Sequence, residues 1–354
     1  MPDCDLSAEL GAAVRAACEA GTPLRAQGGA SKAFLGRAVQ TPVLSLAGHR
    51  GITSYQPSEL VVSARSGTPL TELEDTLAAS GQMLPFEPPH FGAGATVGGT
   101  IACGLSGPRR PYAGAARDFV LGVRLINGSG EVLRFGGEVM KNVAGYDVSR
   151  LMTGSMGTLA VLLEVSMKVL PRPQAEITLA FEHTPAEAVR RFNAWAGQPL
   201  PLSAACHLAG RSFVRLSGSA RGIDSALAQL GGEAVAAHEA PWTALREHRL
   251  APLRGELPLW RLSVPPTTPP LALPGEAVID WGGALRWLCS DADPGAVRSV
   301  VAASGGHATL FRGAGPEDEV FHPLAPTMLR LHQRIKAAFD PRGILNPGAM
   351  YAQL

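Results

Sequence analysis

The sequence predicts an α+β fold in two parts, and three observations indicate it. A chain of 354 residues with 46% hydrophobic residues is long enough to bury two cores. Up to residue 171, helical patterns alternate with short apolar runs and a hairpin pattern. From residue 172, strand-like and helix-like segments alternate, which predicts a smaller α/β sandwich with an antiparallel, ferredoxin-like sheet.

Periodicity and punctuating residues predict the elements of the first part. Residues 5–20 have helical spacing and stop at Gly21. A second helix has Thr68 as its N-cap and Pro69 at its first position, and it ends near Gly81. Strands are predicted over the apolar runs 42–46, 60–64, 119–126, 131–135 and 159–170, with a hairpin turn at 127–130.

The prolines of 170–174 end the last of these strands, so we expect a domain boundary there, with domains 1–171 and 172–335. The second domain begins with a strand and a helix that opens on a capping box, Thr184-Pro-Ala-Glu187. Its other predicted strands are 204–208, 212–216, 260–264, 284–288 and 308–311, and the other predicted helices are 220–230, 294–303 and 329–339.

Composition excludes several classes of protein. The net charge is +1 with no basic block, so we expect no nucleic-acid partner. The most apolar run, 159–170, is interrupted by Glu164 and Lys168, so we expect a cytoplasmic protein with no membrane insertion, peripheral at most through partners. The five cysteines form no C-x-x-C pair, and we expect no metal site.

The stretch 91–104, FGAGATVGGTIACG, contains a G-x-G-x-x-x-G pattern, but its surroundings do not suit a dinucleotide fingerprint. A fingerprint needs a strand before the glycines and a helix after them. The approach carries prolines at 85, 88 and 89, and the exit, 100–107, is too glycine-rich to predict a helix. These glycines therefore need another explanation.

Two glycine-rich stretches suggest a different cofactor site. In 23–32, Gly28 and Gly29 allow a turn whose amides would hold a diphosphate beside Arg25, Ser31 and Lys32. The alternative is that this stretch is an ordinary surface turn. In 95–107, glycines would let the backbone approach a large planar ligand, with hydroxyl groups beside it, or else would permit a bend in a sheet. Three further stretches follow in the chain: Arg117-Asp118, 141–147 and 154–161. Their occurrence together in this order is stronger evidence for a cofactor site than any one stretch.

This order resembles a known family. The chain resembles the FAD-binding domain of the vanillyl-alcohol oxidase and p-cresol methylhydroxylase (PCMH) type. The motifs that carry the resemblance are, in order, Arg-x-x-Gly-Gly, Ala-Thr-Val-Gly-Gly-Thr, Arg-Asp, Asn-x-Ala-Gly-Tyr-Asp, Gly-Ser-x-Gly-Thr-Leu and a closing Phe-Asp-Pro-Arg-Gly-Ile-Leu-Asn-Pro-Gly. The resemblance covers residues 20–171 and 336–350. It implies two α+β subdomains with FAD between them, and a C-terminal segment, 336–354, that returns to the FAD site.

The resemblance also implies which residues contact the cofactor. They are Arg25, Gln27, Gly28, Gly29, Ala30, Ser31, Lys32, Pro88, Ala95, Thr96, Val97, Gly98, Gly99, Cys103, Gly104, Ser106, Gly107, Arg117, Asp118, Asn142, Gly145, Tyr146, Asp147, Gly154, Ser155, Gly157, Thr158, Val161, Asn346 and Pro347.

Departures from the family pattern matter as well. Many relatives attach the flavin covalently through a histidine after the first glycine pair, where this chain has Ala30-Ser31, so we expect noncovalent FAD. The second domain lacks the closely spaced histidines of 2-hydroxy-acid oxidising relatives. The catalytic residues therefore stay unknown, with Tyr146, Arg110 and His90 as weak candidates.

Within the family, the chain is similar to the small FAD-binding subunits of glycolate oxidase complexes, on 24–37 and 104–110. That similarity implies oxidation of a small 2-hydroxy acid, glycolate, to glyoxylate, with a larger flavoprotein subunit and an iron-sulfur subunit as partners. The alternatives are a stand-alone FAD-dependent 2-hydroxy-acid or alcohol oxidoreductase and a non-catalytic assembly subunit.

Overall fold

The computed structural model describes residues 3–137, 146–315 and 318–354, whose strands form two large sheets and two small ones. The described helices are α1 (Ser7–Ala20), α2 (Leu70–Ala79), α3 (Val97–Cys103), α4 (Arg110–Ala113), α5 (Ala116–Phe119), α6 (Val148–Met152), α7 (Pro185–Ala196), α8 (Ala220–Leu230), α9 (Ala240–Arg246), α10 (Pro294–Ala303) and α11 (Pro326–Phe339).

The described strands are β1 (Arg25–Gln27), β2 (Val43–Ser45), β3 (Ile52–Gln56), β4 (Val61–Arg65), β5 (Gln82–Met83), β6 (Val120–Ile126), β7 (Val132–Gly136), β8 (Val161–Lys168), β9 (Leu170–Pro171), β10 (Ala175–Glu182), β11 (Leu202–Leu208), β12 (Arg211–Gly218), β13 (Glu233–Ala234), β14 (Leu259–Ser263), β15 (Glu276–Asp280), β16 (Leu285–Cys289) and β17 (His307–Arg312).

The first large sheet is antiparallel, with the strand order β3-β4-β8-β6-β7. Strands β6 and β7 form the predicted hairpin, in which Asn127 Oδ1 accepts hydrogen bonds from the amides of Ser129 and Glu131. Helices α2 and α3 pack their apolar residues on this sheet, with Leu73 and Ile101 fully buried. The α+β prediction for the first part is confirmed.

Two local predictions in this part are wrong. Thr68 does not cap α2, because its hydroxyl group bonds to the amide and the carbonyl of Gly51, and the helix begins after Pro69. The stretch after Thr96 is helical, although its glycines predicted otherwise. There the tertiary contacts of the helix outweigh the cost of glycine, about 1 kcal/mol per residue.

The second large sheet has eight strands in the order β13-β10-β12-β11-β15-β16-β14-β17. Its first four strands, with α7 and α8, follow the β-α-β-β-α-β order of a ferredoxin-like unit. Its last four repeat the same pairing pattern with α10 as their only crossover helix, and β11 joins β15 at the seam. The ferredoxin-like prediction is confirmed, and the structure contains two such units side by side.

All strands of the first sheet lie between residues 52 and 168, and all strands of the second lie between 175 and 312. On this basis we propose the division predicted from the sequence, with domains 1–171 and 172–335. Among the described residues, two ion pairs connect the two parts: Arg109 pairs with Glu176 at 2.5 Å, and Arg215 pairs with Glu87 at 2.9 Å. Arg109 also pairs with Glu87 within the first part, at 3.2 Å.

A buried ion pair orders the C-terminal turn, and its lysine also bonds to the first part. The ammonium group of Lys336, at the end of α11, donates to Asp340 Oδ2 at 2.7 Å and to the carbonyls of Thr158 and Leu345 at 2.6 Å. Asp340 in turn accepts from the amides of Ile344 and Leu345. This turn brings the last residues alongside β1, where Leu24 pairs with Leu345.

Candidate functional site

A cleft of about 400 Å³ lies where the first loop, the start of α3, the loop 156–157 and the C-terminal turn meet. Its volume is within the range of small-molecule and cofactor sites. The predicted cofactor residues that line it are Arg25, Gln27, Gly28, Gly29, Ala30, Ser31, Lys32, Thr96, Gly98, Gly99, Cys103, Gly157 and Asn346. The predicted first loop and the predicted second loop are therefore brought together.

The first loop follows β1 and presents its backbone to the cleft. No backbone carbonyl of the described residues accepts a hydrogen bond from the amides of 28–32. Such a run of free amides forms a concave anion-binding surface, because several N–H groups can point at one diphosphate. Glycine is needed here for close approach: a Cβ atom on Gly29 would overlap the carbonyl oxygen of Gly94. Gly94, which was not among the predicted cofactor residues, thus belongs to the wall of the cleft.

Helix α3 forms the opposite wall. Thr96 is its N-cap, and the Thr96 hydroxyl oxygen accepts from the amide of Gly99 at 3.2 Å. The two glycines differ in their surroundings. A Cβ atom on Gly98 would overlap Ser66, whereas one on Gly99 would meet only the Thr96 hydroxyl group, at 3.1 Å. Gly98 therefore serves close packing of the helix on β4, and Gly99 leaves space in the cleft.

The third wall comes from the C-terminal turn. Asn346 has φ 42°, a left-handed conformation that asparagine tolerates. Its carboxamide oxygen accepts from the amide of Ala26 at 2.9 Å, and its carboxamide nitrogen donates to the carbonyl of Met156 at 2.8 Å. The side chain thereby joins β1 to the loop 156–157. Asn346 belongs to the cleft, as the resemblance implied, and the structure shows how it organises the walls.

Orphaned polar atoms indicate that the cleft suits a polar ligand. Arg25 Nε, Thr41 Oγ1 and Ser66 Oγ are buried without a hydrogen-bond partner among the described residues, and all three residues line the cleft. Buried polar groups are normally paired, because an unpaired one costs about 1–3 kcal/mol. A dinucleotide with a diphosphate and ribose hydroxyl groups supplies the missing partners, so these residues fit FAD. When bound, FAD supplies hydride acceptance and onward electron transfer.

Lys32 lies at the buried end of the cleft, with only 8% of its surface exposed. Its ammonium group donates to the carbonyl of His90 at 3.4 Å, a long contact. Burial lowers the pKa of Lys32, opposed by the nearby Cys103 and Glu247. Burial also raises the pKa of the Cys103 thiol to about 11, so this thiol is neutral.

The other predicted cofactor residues that the structure describes do not line the cleft. Several have structural roles: the Ser106 hydroxyl accepts from the amide of Ala116, Thr158 and Ser155 bond within their own turn, and the Gly107 carbonyl accepts from the Trp281 indole at 3.0 Å. Also away from the lining are Pro88, Ala95, Val97, Gly104, Arg117, Asp118, Tyr146, Asp147, Gly154, Val161 and Pro347. Asn142 and Gly145 lie outside the described residues.

The weak catalytic candidates are placed differently from one another. Tyr146 is 95% exposed, away from the cleft. His90 bonds through its ring to Glu74 Oε2 at 2.9 Å, and its amide donates to Glu247, so it ties α2 to the end of α9. Arg110 stacks on the Trp281 ring, with its guanidinium carbon 4.3 Å from the ring centre. Arg110 also lies near Arg261, which packs on the same Trp281 ring and belongs to a group of buried polar side chains that the sequence did not single out.

Those polar groups line a small second cavity of about 20 Å³ between the two parts. Leu105 and Ser106, just beyond Cys103, form one side, and Arg261, Asp280 and His248 form the other. Burial raises the pKa of Asp280 to about 7 and lowers the pKa of His248 to about 3. Asp280 can therefore exchange a proton near neutral pH, while the imidazole stays uncharged. Sequence reasoning missed all three residues because no local motif marks them.

Comparisons with known proteins agree with this geometry. The FAD binding domain family matches residues 4–136, and the C-terminal domain of FAD linked oxidases matches residues 312–350. The glycolate oxidase subunit GlcE of Escherichia coli (strain K12) is 51% identical over 354 residues, covering 100% of both chains. This chain belongs to the FAD-linked oxidase family. It is an FAD-dependent oxidoreductase with a PCMH-type FAD-binding domain.

More distant relatives match a smaller share of the chain. D-lactate dehydrogenase of Anaerostipes hadrus is 34% identical over 137 residues, which are 39% of this chain and 28% of that protein. Among solved structures, alkyldihydroxyacetonephosphate synthase matches with a TM-score of 0.66 at 15% identity, over 96% of this chain and 75% of that one. At that identity, the likeness shows the fold alone.

The described residues also bear on membrane spans and metal sites. No helix in the part of the chain that the structure describes is long and apolar enough to cross a membrane. Within the same residues, no group of three or more His, Cys, Asp or Glu side chains is arranged to hold a metal ion.

Proposed function

We propose that this protein is the FAD-binding subunit of a glycolate oxidase, which oxidises glycolate to glyoxylate. The observation that carries the proposal is 51% identity over the whole chain to a glycolate oxidase subunit, together with a cleft whose free amides and orphaned polar atoms fit FAD. The predicted cofactor residues that line the cleft would hold the cofactor noncovalently, since Ala30 offers no atom for a covalent bond to the flavin.

Electron balance requires an acceptor for the electrons that the flavin receives. Oxidation of a 2-hydroxy acid releases two electrons and two protons, and FAD can accept a hydride and then release single electrons. We propose that these electrons pass to an iron-sulfur subunit, and that a larger flavoprotein subunit completes the complex. The protein would then be cytoplasmic, held at a membrane only through such partners.

A stand-alone 2-hydroxy-acid oxidoreductase is the second candidate, favoured by one observation. Arg261 and Asp280 line a cavity next to Cys103, at the buried end of the cleft. A guanidinium group can bind a carboxylate, and a carboxylate with a pKa of about 7 can accept a hydroxyl proton. The cavity of about 20 Å³ holds about one water molecule, so this candidate requires it to widen before a hydroxy acid can enter.

The experiment is anaerobic mixing of the FAD-loaded protein with glycolate, alone and after reconstitution with the partner subunits. Flavin reduction only in the complex supports the subunit proposal, and reduction by the isolated protein supports the second candidate. If neither preparation is reduced but the chain is still required for complex assembly, the protein is a non-catalytic assembly subunit. Co-purification from the source cell, followed by flavin and iron analysis, tests the proposed partners.

A further inference from the structure

The two ends of the cofactor cleft differ in burial. The end near residues 37–41 is lined by exposed and half-buried residues, whereas Lys32 at the other end is buried and neighbours Cys103. Between them, the free amides of 28–32 face the start of α3. A dinucleotide whose diphosphate lies on these amides must send one half toward each end.

The buried end suits the redox-active half. Phe34, Phe91, Cys103 and Met156 there pack against the cluster of the second domain that contains Trp287. A redox ring benefits from exclusion of water, since exclusion strengthens electrostatic interactions and prevents side reactions. The adenosine half takes no part in electron transfer and tolerates the open end near Thr41.

The neighbours of Lys32 place its side chain toward the end of α3. Its ammonium group lies near the carbonyl of His90 and near Cys103, the last residue of α3, whereas Gly98 and Gly99 begin that helix. From Gly99 to Cys103 the helix rises by about 6 Å, at 1.5 Å per residue. In the described part of the chain, the long contact to His90 is the only hydrogen bond of this buried cation.

We infer that Lys32 is a cationic contact of the flavin ring, and that its charge favours the reduced, more negatively charged form of the cofactor. Two electrons and one proton added to the neutral oxidised ring leave one net negative charge unless a second proton is taken up, and an adjacent ammonium group stabilises that charge. This inference rests on the proposed function only for FAD binding. It does not depend on glycolate or on partner subunits.

The test measures the midpoint potential of bound FAD by anaerobic titration with a chemical reductant and a reference dye. The variants are Lys32→Met and Lys32→Arg, with Arg37→Met as a matched control, because Arg37 is a half-buried cation that lines the same cleft. FAD affinity is measured in parallel by flavin fluorescence.

We expect Lys32→Met to retain FAD but to bind reduced FAD at least tenfold more weakly relative to oxidised FAD. For a two-electron couple, a tenfold change makes the midpoint potential ~30 mV more negative. Lys32→Arg should stay close to the wild type, and Arg37→Met should change FAD affinity without moving the potential. An unchanged potential in Lys32→Met overturns the inference.

Loss of FAD in a folded Lys32→Met protein also overturns it, because that result assigns the ammonium group to the diphosphate. Should Lys32→Met fail to fold, Lys32→Gln is measured against the same two outcomes. Since the reductant is not glycolate, failure of the glycolate oxidase proposal leaves this result interpretable.

Discussion

The carboxamide oxygen of Asn346 accepts a 2.9 Å hydrogen bond from the amide of Ala26, 320 residues earlier in the chain. The same side chain donates to Met156, so one residue sets the spacing of two cleft walls. We predict that Asn346→Gly, which keeps the left-handed conformation accessible, weakens FAD binding and lowers the free energy of unfolding by about 1–3 kcal/mol.

Asn346→Ala provides the comparison, because alanine adds the strain of a positive φ, about 1–2 kcal/mol, to the same loss of hydrogen bonds. Calorimetric FAD titration and urea unfolding measure both effects. If Asn346→Gly binds FAD as tightly as the wild type does, the two side-chain hydrogen bonds of Asn346 are not needed to keep the cleft walls in place.

Gly98 and Gly99 are adjacent, yet substitutions at the two positions should fail in different ways. A side chain at Gly99 extends toward the cleft and meets only the Thr96 hydroxyl, so Gly99→Val should fold but lose FAD. A methyl group at Gly98 overlaps Ser66, so Gly98→Ala should lower the melting temperature even without cofactor, at a cost of about 1–3 kcal/mol.

Melting curves with and without FAD separate the two effects. Full flavin occupancy in Gly99→Val would show that the cofactor does not approach this part of α3.

The buried ion pair of Lys336 and Asp340 should be sensitive to removal of one partner. Lys336→Met leaves the Asp340 carboxylate buried without its cation, and we expect a loss of about 3–5 kcal/mol in the free energy of unfolding. Urea unfolding at neutral pH measures it. The double variant Lys336→Met, Asp340→Asn removes the unpaired charge and should recover part of the loss; equal stability of the single and double variants would contradict this account.

Asp280 should make stability fall as the pH rises. Its pKa is about 7 in the folded protein and near 3.8 when unfolded, because burial disfavours the charged carboxylate. The folded state thus binds more protons between these values, and folding stability decreases from about pH 4 to pH 7. Asp280→Asn removes this effect, so its stability relative to the wild type should rise by roughly 2–3 kcal/mol between pH 5 and pH 8.

Urea unfolding of both proteins across this range provides the measurement. The pKa of His248 is lowered by burial and makes stability rise with pH below about 6.5, but this contribution is common to both proteins and cancels in the difference. A difference that does not change with pH would mean that Asp280 is not buried as a neutral acid.

The sequence predicted those parts of the cleft where backbone must approach a ligand. Gly28 and Gly29 lie in the first loop as expected, since a Cβ atom would overlap Thr96 at Gly28 and Gly94 at Gly29. It did not predict α3, because helix propensity argues against Gly98 and Gly99, and the packing against Ser66 that offsets the cost is visible only in three dimensions.

Residues that act through distant contacts were the hardest to predict. Ser106 and Gly107 fit the motif of a flavin loop, yet they bond to Ala116 and Trp281. Asp280 and Arg261 lie on strands β15 and β14 and meet the first domain only after the second sheet has formed. Nothing in their local sequence distinguishes them from ordinary strand residues.

The position of Asn346 constrains when the cofactor can be taken up. The cleft needs Arg25 and the residues near it, which are synthesised first, and Asn346 and Ala349, which follow both units of the eight-stranded sheet. A growing chain on the ribosome therefore lacks one wall of its flavin site until Asn346 and Ala349 have emerged. Cofactor loading can consequently be completed only after both units of the eight-stranded sheet have been synthesised.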